Sequence, residues 1–139
     1  MRAFLAIPVQ SPALAAFQTL RERLVTAVPA VRWAPAETPH LTLHFFGTIS
    51  SDDARRALAV LRPVVAELPP MTLRLRGLGA FPSATRPRVL WCGVDGDVVA
   101  LDDCARACTA ALHVAGFAVE NRPYRAHCTV GRPRQPWPV

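Results

Sequence analysis

The chain has no lysine; all sixteen of its basic residues are arginine. This absence removes a phosphate loop dependent on its lysine, Schiff-base chemistry, and ATP-driven ligation through an adenylated lysine. Cysteine is sparse, four residues in 139, and no two are spaced C-x2-C. Neither a zinc ribbon nor a dithiol redox pair fits that spacing. Cys104, Cys108 and His113 fall in an alanine-rich helical stretch, where small buried residues are expected and a metal site is not. No apolar run approaches the roughly 20 residues of a membrane span. The apolar run within residues 1–12 is too short for a signal peptide. These absences predict a cytoplasmic chain with reduced cysteines, no membrane association and no obligatory protein partner.

About half the residues are apolar (51%), enough for the core of one domain or of two small lobes. The net charge of +6 and the pI near 10.4 point to an anionic partner, with nucleic acid first. The signal is discounted by composition, because arginine, alanine and proline are all enriched by a GC-rich genome. The planar arginine fork nevertheless suits phosphate.

Two segments share one pattern: His40-Leu41-Thr42-Leu43 and His127-Cys128-Thr129-Val130. In a strand, residues i and i+2 point to the same face. Each segment thus aims an imidazole and a hydroxyl one way, with Leu41 and Leu43, or Cys128 and Val130, on the packed side. Four histidines and nine threonines would give only about a quarter of one such pair by chance. Two imidazoles and two hydroxyls facing one cavity form a toolkit for reaction at phosphate.

The remaining pattern predicts alternating strands and helices. Residues 2–9 read as a strand. Ser11 and Pro12 supply an N-cap and a first-turn proline for a helix to about residue 28, with Leu14, Phe17, Leu20, Leu24 and Val28 at helical spacing. A short strand at 31–34 precedes the motif strand at 41–46, stopped by Gly47. Ser50, Ser51 and Asp52 cap a helix over 53–67, its apolar face Ala54, Leu58, Leu61 and Val65, ended by Pro69 and Pro70. Met71, Leu73 and Leu75 alternate with Thr72, Arg74 and Arg76 in a strand that continues irregularly over 77–81. A loop at 82–87, a strand at 88–94, an Asp95-Gly96 turn and a helix at 98–115 ended by Gly116 follow. Short strands are expected at 117–120 and 126–131, then a loop or edge at 132–139. Each half thus reads as strand, helix, short strand, motif strand. The fold class is α+β, with two pseudo-symmetric lobes of mostly antiparallel sheet, outer helices and a central cleft.

Four stretches resemble the two-histidine (2H) phosphoesterase superfamily, and within it the RNA 2′,3′-cyclic phosphodiesterases, often labelled 2′-5′ RNA ligases. They are 2–7 (RAFLAI), 39–47 (PHLTLHFFG), 79–94 (GAFPSATRPRVLWCGV) and 123–132 (PYRAHCTVGR). The chain departs from the family in having Ala126 where a proline is usual, and in ending at Val139, several dozen residues early. A single domain over residues 1–139, shortened at its C-terminus, is the expectation.

The resemblance implies hydrolysis of RNA 2′,3′-cyclic phosphate ends to 2′-phosphomonoesters, with RNA ends or nucleotides bearing a cyclic phosphate as partners. By motif position His40 is the proton donor and His127 the acceptor; the residues alone do not assign these roles. Histidine ordinarily titrates near pH 6.5, so imidazole and imidazolium coexist near neutrality. Thr42 and Thr129 would hold the non-bridging oxygens. The scheme needs no metal and no cofactor. The resemblance also makes Phe45 a stacking surface for the terminal base and puts Arg132 near the phosphate. In a regular strand only one of Phe45 and Phe46 is core. Tyr124 and Arg125 are candidates for the mouth of the site. His44 is expected as an exposed strand histidine, His113 as a surface residue and Trp91 as core. Alternatives are a phosphodiesterase acting on small cyclic nucleotides or ADP-ribose cyclic phosphate, and an RNA-binding module without turnover.

Overall fold

Short apolar runs between prolines and glycines become nine elements in a computed structural model, which describes residues 1–28, 30–83 and 85–134. They are β1 (Arg2–Pro8), α1 (Ala13–Ala27), β2 (Val31–Trp33), β3 (His40–Thr48), α2 (Ser51–Ala66), β4 (Leu73–Phe81), β5 (Val89–Gly96), α3 (Val98–Val114) and β6 (Cys128–Pro133). The strands run β1-β3-β6-β5-β4 across one sheet, with β2 also on β6. The pairs of β6 with β2, β3 and β5, and of β4 with β5, are antiparallel. The α+β class is as expected. The tail at 132–134 is the end of β6 and its exit; residues 135–139 lie outside the described residues, as does Ala84 of the expected 82–87 loop.

The chain divides into two compact units. Unit 1 is Met1–Ala6, Thr42–Thr72 and Asp97–Ala126; unit 2 is Ile7–Leu41, Leu73–Gly96 and His127–Val139. Each draws on three separated segments, so the units are not the successive halves of the chain.

Unit 1 is built by helices. Ala57 and Leu61 of α2, Cys104, Cys108 and Leu112 of α3, and Phe117 form its buried cluster. Leu5 of β1 and Leu43 and Phe46 of β3 pack against it. The buried face of α2 differs from the expected one. Leu58 and Val65 are 52% and 50% exposed, while Val60, Val64 and Leu68 flank Ala57 and Leu61. The helix is rich in Ala, Val and Leu, so two stripes satisfy the same spacing, and packing against α3 selects one. Ser50 alone makes the cap: its Oγ accepts from the Asp53 N–H at 3.0 Å, and Ser51 and Asp52 lie in the first turn. Asp52 and Asp53 complement the helix dipole there. The expected strand at 117–120 does not form. Phe117 is instead buried, with the Arg56 guanidinium 4.1 Å over its ring and Arg56 Nη1 donating to the Ala115 carbonyl at 2.6 Å.

Unit 2 is built on sheet. Its buried side chains include Phe17 of α1, Val31, Leu41, Cys92, Cys128 and Val130. The N-cap of α1 is Pro12, without a side-chain cap, so Ser11 does not serve as expected. From α1, Gln18 Nε2 donates to the Ala36 carbonyl (2.9 Å) and Arg21 Nε to the Ala34 carbonyl (2.6 Å). These bonds fix the segment that delivers β3. In β4 the register slips between Arg76 and Leu78, where Gly77 takes φ +74°, a conformation that favours glycine. Among the described residues no helix is long and apolar enough to cross a membrane.

Candidate active site

The site is built around β6, which pairs with three strands. Leu41 of β3 stands directly opposite Cys128 of β6. Both are buried. In an antiparallel pair, opposed residues share a face and their chain neighbours take the other. His40 and Thr129 therefore lie on the face away from Leu41 and Cys128. His127, immediately before β6, is diagonal to His40 on that face. Diagonal side chains stand about 7–8 Å apart at most at their bases. The two motif histidines, 87 positions apart in sequence, thus belong to one unit and one sheet face. Thr42 follows His40 at i+2 but belongs to unit 1.

Local contacts fix both imidazoles. His40 Nδ1 lies 3.0 Å from the Thr38 carbonyl. A carbonyl only accepts, so Nδ1 carries the hydrogen of this bond and the tautomer and ring orientation are set by it. The His127 ring meets Phe81 edge-on, centroids 5.1 Å apart at 85°. Phe81 in turn lies 5.1 Å from Trp91. Trp91 stands opposite both Thr129 on β6 and Gly79 on β4, and a Cβ at Gly79 would overlap its indole. The Gly79, Phe81 and Trp91 stretch is therefore a support for His127. Phe81 and the Thr38 carbonyl were not singled out from sequence. Phe81 lay within the 79–94 stretch, whereas a backbone carbonyl leaves no sequence signal.

The opposite face is chemically quiet. Cys92 and Cys128 face each other across β5 and β6. Burial pushes the Cys92 thiol up to about 11; burial, then its neighbour Cys92, pushes Cys128 up to about 12. Both stay protonated and pack as small apolar groups. Cys104 and Cys108 in unit 1 are likewise buried, raised by burial, and hydrogen-bonded to one another.

The remaining candidates divide by environment. Phe45 is 51% exposed, with the Arg2 guanidinium 5.1 Å over its ring, while Phe46 packs inward against Phe117. Arg132 is exposed on β6. Tyr124 lies partly buried in unit 1. Burial, with Cys104 and Asp102 nearby, pushes its phenol up to about 12, and its hydroxyl has no hydrogen-bond partner among the described residues. Arg125 is exposed. His44 departs from expectation: it is 8% exposed, edge-on to Phe46 at 4.6 Å. Burial lowers its pKa, and Glu120 and the Ala118 backbone only partly oppose this. His113 is exposed in the last turn of α3.

A sequence model of the family described as LigT-like phosphoesterases matches residues 7–91. The chain is 31% identical to the RNA 2′,3′-cyclic phosphodiesterase of Geobacillus stearothermophilus, over 93% of this chain but 41% of that protein. It is 32% identical to that of Methanothermobacter thermautotrophicus, over 98% of this chain and 73% of the relative. The crystal structure of TT0787 of Thermus thermophilus superposes with a TM-score of 0.82 at 26% identity, covering 100% of this chain and 78% of the other. E. coli LigT in its apo form gives 0.74 at 26% identity, covering 95% and 72%. With paired motif histidines on one sheet face and a family match over more than half its length, the chain belongs to the LigT-like phosphoesterases.

Proposed function

We propose that residues 1–139 supply one 2H phosphoesterase domain, which hydrolyses RNA 2′,3′-cyclic phosphate ends to 2′-phosphomonoesters. The observation that carries this reading is the register of Leu41 on Cys128, which supports His40 and His127 as partners on one face.

In the reaction, His127 takes a proton from water as its oxygen attacks phosphorus. The bond to the ribose 3′ oxygen breaks, and His40 Nε2 protonates that oxygen. The 2′ oxygen keeps the phosphate. The next turnover needs the two protons exchanged back through solvent. The Thr129 hydroxyl, with Thr42 at the matching position of β3, donates to the equatorial oxygens as their charge grows. Two imidazoles flanking one phosphorus supply both proton transfers, so the scheme runs without a metal or cofactor. Phe45, exposed beneath Arg2, offers a face to the terminal base, and Arg132 adds positive charge. Tyr124 is left out of the reacting set because its hydroxyl sits beside Cys104 and Asp102 of α3.

The test is hydrolysis of an oligoribonucleotide ending in a 2′,3′-cyclic phosphate. Turnover that survives EDTA, and falls about 10²–10⁴-fold in His40→Ala and in His127→Ala, is expected. Inhibition by EDTA reversed by added metal, or full activity in either variant, contradicts the mechanism. Binding without product contradicts the enzyme and favours an RNA-binding module.

A further inference from the structure

Arg2 was not singled out as a site residue from sequence, yet its guanidinium lies over the ring of Phe45. Both side chains are exposed, and among the described residues no carboxylate pairs with Arg2. Core packing does not account for Phe45, because its neighbour Phe46 takes the inward position against Phe117. Nor does an ion pair account for Arg2.

Two neighbouring strands of unit 1 place this pair. β1 and β3 are adjacent in the sheet. The Met1 amino group donates to the Ile49 carbonyl at 2.9 Å, and the Ile49 N–H to the Met1 carbonyl at 2.8 Å. Arg2, the next residue, is thereby held beside the end of β3. Phe4, two residues on and half exposed, shares its face of β1. Within β3, Leu43 and Phe46 pack on the unit 1 cluster, and His44 packs on Phe46. Leu43 and His44 are adjacent and both turn inward, so the alternation breaks between them. Phe45 is thereby turned to the side of Thr42, three residues or roughly 10 Å along the strand. A nucleotide whose phosphate sits at Thr42 extends its base toward Phe45 and Arg2.

We infer that Arg2 is a specificity-determining residue: it forms the second wall of a base slot, opposite Phe45, and biases the site toward purines. This rests on the phosphodiesterase reading and deepens it. In the free protein the two walls rest on one another, 5.1 Å apart. A base between them needs two stacking layers of about 3.5 Å, so the guanidinium rises by roughly 2 Å. Its long exposed stem permits that movement. The charge of arginine is spread over a plane, which lies flat on the outer face of the base while Phe45 takes the inner one. A purine offers two fused rings to the cation and a pyrimidine one, so Arg2 favours the purine.

The experiment compares kcat/KM for 2′,3′-cyclic GMP, 2′,3′-cyclic CMP and a base-free ribose 2,3-cyclic phosphate. In Arg2→Ala the value for cyclic GMP should fall roughly fivefold, through KM, and that for cyclic CMP about twofold. The base-free ester should be turned over as by the wild type. Arg2→Lys keeps the charge without the plane, so its ratio of cyclic GMP to cyclic CMP should stay below that of the wild type. Arg23→Gln, which removes an exposed arginine of α1, should leave every ratio in place. Equal losses on all three substrates, no loss on any, or a matching fall in Arg23→Gln overturn the slot. Full recovery of the ratio in Arg2→Lys overturns the flat stacking of the guanidinium. If the wild type hydrolyses none of the three, the phosphodiesterase reading fails. The slot is then tested by binding of 2′-GMP: a roughly fivefold weaker affinity in Arg2→Ala sustains it, and equal affinities overturn it.

Discussion

His40 and His44 stand four residues apart on β3, one in each unit, and have opposite environments. His40, in the sheet-built unit 2, is partly exposed and bonded through Nδ1 to a carbonyl. His44, in the helix-built unit 1, is buried against Phe46, and burial disfavours its charged form. By alternation alone they share a face. What separates them is cover: in unit 1 Phe46, itself packed on Phe117, lies edge-on to His44, and in unit 2 His40 stays partly exposed. The same side chain on the same strand is thus partly exposed in one unit and a packing element in the other.

The largest expected effect breaks that comparison directly. His40→Ala should lower kcat by about 10²–10⁴-fold, whereas His44→Gln should leave folded protein active, as measured by hydrolysis of a cyclic-phosphate oligomer. Next, Leu61→Ala in the core of unit 1 should cost about 2–5 kcal/mol in denaturant unfolding, and Leu58→Ala, three residues earlier, within about 0.5 kcal/mol. In unit 2, Gly79→Ala would drive a methyl into the Trp91 ring. A destabilisation of about 1–3 kcal/mol is expected, with a lower kcat because Phe81 and His127 lose their support.

The motif strands were legible because a period of two, with buried residues between the histidines and threonines, is written in adjacent positions. Other features were not. The face of α2 was misread at Leu58 and Val65, since propensity cannot choose between overlapping apolar stripes. The segment at 117–120 looked like a strand because Phe117 and Val119 alternate, but a strand needs a partner, and Arg56 and the unit 1 cluster hold Phe117 instead. The place of Arg132 depends on one extra residue in β6 against β5, and such a slip depends on the partner strand, which single-sequence reading does not supply.

Smaller effects sharpen the contrast between the units. His44 is neutral in the folded state below its ordinary 6.5, while in the unfolded chain it takes up a proton there. Its contribution to stability is therefore complete above pH 6.5 and declines as pH falls through that value. Unfolding free energies measured downward from pH 7 should lose part of their slope in His44→Gln. Smallest of all, Tyr124→Phe removes a buried hydroxyl that has no partner among the described residues, so stability should stay within about 0.5 kcal/mol of the wild type or rise.

The central claim, that two distant imidazoles act together at one phosphorus, is tested most directly by a double-mutant cycle on single-turnover hydrolysis. His40→Ala and His127→Ala should each lower the rate by several orders of magnitude, and the double variant should lose far less than the product of the two. Losses that multiply fully, or a single variant at the wild-type rate, would contradict it.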